Sequence, residues 1–210
     1  MPTSSPMVAL LADLVASRTA DRTRLHDAVI EAAATVNDRV SSVDQLRPTV
    51  GDELQGVYAT LGDALAASFT LRFSLAPEWD VRFGIGGGQV RTVDPELRIQ
   101  DGSAWWLARE AIDWVHAFAD VKGHGSARTA IRDERAEATP QADALVRLID
   151  AHFARLRDGA VNTLGGMWAG LDNAAIAQRE GISESANSQR VINNDLRPLL
   201  DAMSTLITLP

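Results

Sequence analysis

Met7 to Leu11 is an unbroken apolar run closed by Asp13, the pattern of a central strand covered on both faces. Leu25, Val29, Ala32, Ala33, Val36 and Val40 then recur at three- and four-residue steps and predict a helix of about twenty residues. Leu46 to Val50 and Leu54 to Tyr58 predict two antiparallel strands around Gly51-Asp52-Glu53. Pro48 makes the first an edge or irregular strand, because it has no N–H for a ladder. Leu61, Leu65 and Phe69 predict a second helix, ended by Pro77. Val81, Phe83 and Ile85 alternate with Arg82 and Gly84 as a strand that ends at Gly86-Gly87-Gly88. Asp101-Gly102-Ser103 opens a helix whose Trp105, Trp106, Leu107, Ile112, Trp114 and Val115 predict a core face rich in indole. Arg128 to Ile131 is a candidate last strand. The order is βαββαβ with additions, the α+β class of a ferredoxin-like sheet.

From Thr139-Pro140 onward the pattern is all-helical, with Leu145, Leu148, Ile149, Phe153 and Leu156 predicting a helix that ends near Gly159. Beyond it, Ala177, Gly181-Ile182-Ser183 and Ser188-Gln189-Arg190 have the spacing of a helix-turn-helix: a small residue where helices cross, a turn glycine, and a polar second helix. Ser188, Gln189 and Arg190 are the candidate DNA contacts. Asn187 stands where such motifs usually bury Val or Ile, and Glu180, Glu184 and Asp195 nearly cancel Arg190 and Arg197. Packing against its own domain or a protein partner is therefore an equal alternative. The expected layout is a sheet domain over 1–135, a linker helix over 136–160 and a helix-turn-helix module over 161–210.

Composition narrows the chemistry. A net charge of -8 excludes a protein whose whole surface coats nucleic acid. The absence of Cys removes disulfides, thiolate catalysis and Cys-ligated zinc together. His26, His116, His124 and His152 show no metal-ligand spacing. Nothing is long and apolar enough to span a bilayer, and residues 1–6 lack a signal-type core, so a cytoplasmic protein without a membrane partner is expected.

If the first and third strands lie side by side, Asp13 and Asp52 converge at one sheet edge. Two hard carboxylates there suit Mg²⁺ or Mn²⁺ carried with a nucleotide phosphate. Turn and cap roles for both acids stay open beside that reading. Val15, Ala16, Ser17 and Arg18 before the first helix, with Gly51, are candidate nucleotide-binding positions, since small residues and a helix N-terminus let backbone N–H groups approach a phosphate. A generic strand-to-helix turn explains the same residues. The triple glycine permits close backbone approach by a ligand or by a neighbouring strand, and the packing reading is favoured because no Gly-Lys-Ser/Thr follows it.

The segments Ala12 to Arg18, Thr49 to Gln55, Arg82 to Gly88 and Asp101 to Ala111 resemble, in that order, the SatD family of bacterial proteins. More distantly they are similar to the palm-type domain of class III nucleotide cyclases and diguanylate cyclases. The resemblance implies a cyclase-like palm in which Asp13 and Asp52 hold metal ions, Arg109 neutralises developing phosphate charge, and a nucleoside triphosphate is the ligand. Two departures count against cyclisation: Trp105 replaces an Asn four residues before that Arg, and Pro48 replaces a base-reading Lys four residues before Asp52. The implied protein is a degenerate nucleotidyl cyclase, a nucleotide- and metal-binding regulator coupled to a helix-turn-helix, with a homodimer presenting two such motifs to DNA. The alternative is an active two-metal cyclase or nucleotidyl transferase.

Overall fold

The computed structural model describes residues 5–15, 21–49, 53–135 and 140–210. Its elements are β1 (Ser5–Leu14), α1 (Arg22–Arg39), β2 (Asp44–Pro48), β3 (Glu53–Tyr58), α2 (Leu61–Leu75), β4 (Val81–Asp94), β5 (Ile99–Asp101), α3 (Ser103–Ala119) and β6 (Thr129–Asp133). Helices α4 (Pro140–Phe153), α5 (Asp158–Trp168), α6 (Asn173–Glu180), α7 (Glu184–Asn193) and α8 (Leu196–Leu206) follow. The chain is a mixed α/β protein with one sheet, in the order β2-β3-β1-β4-β5, and with β6 pairing β4 in parallel. The other pairings are antiparallel. Pro48 lies on the edge strand β2, opposite Leu54, where its missing N–H costs no ladder bond.

Alternation along β1 divides the core. Val8, Leu10, Ala12 and Leu14 join Leu25, Val29, Ala32, Ala33 and Val36 of α1 and Leu61, Leu65 and Phe69 of α2. Ala9 and Leu11 face the other way, with Val57 and Val90, against Ala104, Ala108 and Ile112 of α3. Both sides of β1 are thus dry, which is what its continuous apolar run requires.

The strand expected to end at the triple glycine instead continues through it to Asp94. A Cβ on Gly84 would strike the Ala108 carbonyl and Ile112, and one on Gly86 would strike the Ala104 carbonyl and the Ala108 backbone. On the opposite face, a Cβ on Gly87 would overlap the Asp133 carboxylate of β6. The glycines are therefore the floor on which α3 and β6 sit, and a strand without side chains can carry them because its neighbours supply the burial. The same seam corrects the Trp-rich expectation for α3. Its buried residues are Ala104, Ala108, Ala111, Ile112 and Val115, while Trp106 is 64% exposed. At that backbone separation only small side chains fit between helix and sheet. Strand β5, with no three-residue pattern to announce it, forms a hairpin with β4 in which Arg91 pairs with Asp101 at 2.5 Å and holds its carboxyl below the usual carboxylate range.

Helix α4 ends at Phe153, short of the expected Gly159. Arg155 and Leu156 N–H groups bond back to His152 and Phe153 carbonyls in a tight turn, and α5 starts at Asp158. The boundaries expected at 135 and 160 fall within one continuous apolar cluster, in which Val146 and Ile149 of α4, Leu164 of α5, and Leu196, Met203 and Leu206 of α8 share the α1/α2 side of the sheet. The chain's end contributes as well: Leu209 and Pro210 carbonyls accept the N–H groups of Gly62 and Leu61, capping α2.

One buried ion pair ties these layers together. Arg72 of α2 is 5% exposed and lies between the rings of Phe83 and Phe153, and its Nη1 meets Asp150 Oδ1 of α4 at 2.7 Å. Asp150 Oδ2 also accepts the backbone N–H groups of Arg128 and Thr129 at 2.8 and 2.7 Å, and so clamps the start of β6.

Two outcomes follow for denaturant unfolding. Gly86→Ala is expected to lower stability by about 2 kcal/mol or more, since backbone must shift to admit the methyl. Gly125→Ala, whose methyl meets nothing nearer than 3.8 Å, serves as the neutral control. Asp150→Ala strands Arg72 in the core and is expected to cost about 3–5 kcal/mol. A midpoint equal to that of the wild type for either variant would contradict these packing assignments.

Candidate functional site

The last residues of β1 sit between β3 and β4, and register decides what they meet. Asp13 is directly opposite Glu53 on one side and Arg82 on the other. Directly paired strand positions share a face, so Glu53, Asp13 and Arg82 form a row on the side that α3 covers. Two carboxylates side by side repel, and α3 supplies the compensation. Arg109 Nη2 reaches Glu53 Oε2 at 2.7 Å and Oε1 at 3.0 Å. His116 Nε2 reaches Asp13 Oδ2 at 2.8 Å, and Arg82 Nη1 lies 3.1 Å from His116 Nδ1 and 3.8 Å from Asp13 Oδ2. Arg109 and His116 are seven residues apart, two turns along one helix face, which is why one helix serves both acids.

Asp13 and Arg109 are thus brought to one site. Asp52 and Gly51 lie outside the described residues, as do Ala16, Ser17 and Arg18. Val15 is described, and its N–H is bonded to the Asp80 carbonyl at 2.9 Å. Reasoning from sequence missed Glu53, Arg82 and His116. The period-two strand over Arg82 and the seven-residue step from Arg109 to His116 were the signals that could have found them. Glu53 and Asp13 are direct partners on the sheet, which puts their carboxylates on one face. Trp105 packs partly buried against the α3-side core, with its indole N–H buried and without a partner among the described residues.

Hard oxygen donors side by side suit a divalent cation such as Mg²⁺ or Mn²⁺. Among the described residues no group of three or more acidic, His or Cys side chains is arranged to hold a metal ion by itself. Asp13 and Glu53 fit the other common arrangement, in which one or two carboxylates hold the ion and a bound phosphate completes its shell.

The helical half resolves the Asn187 question. Asn187 is 1% exposed; its Oδ1 accepts from Thr163 Oγ1 at 2.9 Å and its Nδ2 donates to Asn173 Oδ1 at 3.0 Å. Gly181, in the left-handed region at φ 65°, turns the chain between α6 and α7. Arg190 turns inward, its Nη1 donating to the Gly159 carbonyl at 2.7 Å, to Thr163 Oγ1 at 3.1 Å and to Glu180 at 3.2 Å. Gln189 bonds along its own helix to Asn193, and Ser188 bonds to Asn173.

The chain belongs to the SatD family, whose model matches residues 7–207. Among solved structures, one described as the structure of a bacterial light-regulated adenylyl cyclase is similar at 13% identity and a TM-score of 0.35, over 52% of this chain and 71% of that one. No curated protein matches. Among the described residues no helix is long and apolar enough to cross a membrane.

The inward Arg190 makes a stability prediction. Arg190→Ala removes a charged donor from three acceptors and is expected to cost about 1–3 kcal/mol, read as a lower urea midpoint at unchanged slope. An unchanged midpoint would return Arg190 to the surface.

Proposed function

We propose that this SatD-family chain is a nucleotide- and metal-binding regulatory protein, built on a ferredoxin-like, cyclase-like palm and lacking efficient cyclase turnover. The observation that supports it most is the opposed pair Asp13 and Glu53 at the end of β1 and β3, with Arg109 and Arg82 beside them. On this reading Asp13 and Glu53, with Asp52 beside Glu53 in the sequence, hold Mg²⁺ or Mn²⁺, and the arginines face the phosphates of a nucleoside triphosphate. The ion would supply charge neutralisation at those phosphates. The residues bind and orient: Arg109 exchanges Glu53 for a phosphate oxygen, and Arg82 and His116 yield Asp13. Trp105 and Pro48 stand where cyclases of this shape place polar catalytic groups, which supports binding over turnover.

The C-terminal helices are assigned a regulatory role through the core they share with α2. The DNA role expected of Ser188, Gln189 and Arg190 is not carried into the proposal, since all three side chains bond within their own helical unit.

Calorimetry with a non-hydrolysable nucleoside triphosphate and Mn²⁺ tests the reading. Binding is expected to require the ion and to weaken at least about tenfold in Asp13→Asn and Asp52→Ala. Chromatography after incubation with ATP or GTP is expected to show cyclic product formed far below about one per second. Equal heats in wild type and both variants would sink the metal assignment, and ordinary turnover would make the chain an active cyclase.

A further inference from the structure

On the side of the sheet away from Asp13 lies a cleft of about 380 Å³ that none of the functions above uses. It lies between α1 and α2 of the sheet layer and α5 and α6 of the helical half, and its size suits a small organic ligand. Its apolar wall is Phe73 and Trp168, whose rings are 6.2 Å apart. Trp168 is held in place by its indole N–H bonding to Thr70 Oγ1 at 3.1 Å.

The charges in the cleft are unusual for a chain of net charge -8. Arg39 and Arg179 line it, each in the last turn of its helix. An arginine there ordinarily complements the terminal carbonyls of its own helix. Neither side chain hydrogen-bonds the terminal carbonyls of its own helix. Arg179 Nη2 crosses to the Asn162 carbonyl of α5 at 2.6 Å, and the exposed Arg39 side chain makes no hydrogen bond or ion pair with any described residue. The single acid lining the cleft, Glu180, is already paired with Arg190 at 3.2 Å. The cleft therefore combines aromatic faces with a net positive rim, which is the complement of an anionic group attached to a flat ring.

We propose that this cleft is a binding site for a small aromatic anion, with the ring against Phe73 and Trp168 and the carboxylate or phosphate on Arg39 and Arg179. Such a ligand touches α1 and α2 on one side and α5 and α6 on the other. It would brace the helical half against the sheet layer, the coupling that a regulator of this architecture needs.

The test uses the full chain and the indole N–H of Trp168, assigned by loss of its NMR signal in Trp168→Phe. The probes are benzoate and AMP as aromatic anions, benzyl alcohol and adenosine as their neutral counterparts, and inorganic phosphate as the bare anion. At least one aromatic anion is expected to shift the Trp168 signal with a Kd of about 1 mM or tighter, its neutral counterpart binding at least about tenfold more weakly. Benzoate alone would identify an aromatic carboxylate ligand, and AMP alone a nucleotide. Arg39→Ala, which removes no described contact, should keep the wild-type melting temperature and weaken binding about tenfold. Asp13→Asn should leave it unchanged, so that failure here and failure at the Asp13 site are separable. A Trp168 signal unmoved by both anions, a shift equal for neutral and anionic probes, or binding indifferent to Arg39→Ala would overturn the proposal.

Discussion

The approach of α3 to β4 is the constraint on which the rest of the structure depends. Glycine at positions 84 and 86 of the strand and alanine at 104 and 108 of the helix let two backbones come within the space one side chain usually fills. Helix α3 carries the Arg109 guanidinium and the His116 imidazole, so its height above the sheet sets whether they reach Glu53 and Asp13. A helix lifted by a methyl group on the seam would carry both side chains away from the carboxylates. Packing and function are in this sense one interaction. The apolar seam positions the polar row, and the row in turn neutralises charge that would otherwise repel at the end of β1 and β3.

The Arg72–Asp150 pair plays a corresponding part between the halves. A buried ion pair is no automatic gain, because desolvating both charges costs about as much as their attraction returns. Here the carboxylate accepts two backbone N–H groups as well, so it serves as the anchor of β6, and the guanidinium is covered by two aromatic rings. The pair makes α2, β6 and α4 interdependent. Because α5 and α8 pack into the same apolar cluster, the helical half has no independent core to fall back on.

Much of this architecture is written in periodicity. The run from Met7 to Leu11, the four-residue steps of α1 and α2 and the alternation through Ile85 each describe burial that a single element imposes on itself, and each is found in place. What was not legible depends on pairs of elements. The triple glycine reads locally as a strand end; only the backbone of α3 above it explains why side chains are absent and the strand continues. The indoles of α3 read as core by size, yet the seam admits alanine and leaves Trp106 outside. Asp13 could be singled out because it closes an apolar run, whereas Glu53, Arg82 and His116 become a site only through register between strands and a helix crossing above them. Asn187 looked like a defect in a small core because its partners, Thr163 and Asn173, come from other helices.

The row at the end of β1 also limits how any ligand there can act. Each carboxylate already has partners: the Arg109 guanidinium on Glu53, and the His116 imidazole with the Arg82 guanidinium on Asp13. An incoming divalent ion must displace them, and two guanidiniums left without partners beside bound phosphates would be stabilised by those phosphates in turn. On the proposed function metal and phosphate would therefore favour one another, while either alone would work against the existing pairs. Such an exchange would change what α3 is held to, from the carboxylates of the sheet to the bound phosphate. A ligand can bias a structure only as far as it binds its alternative states differently. Here that difference would be between α3 held by the acids and α3 held by phosphate, on the one helix whose position the glycine floor leaves so little freedom.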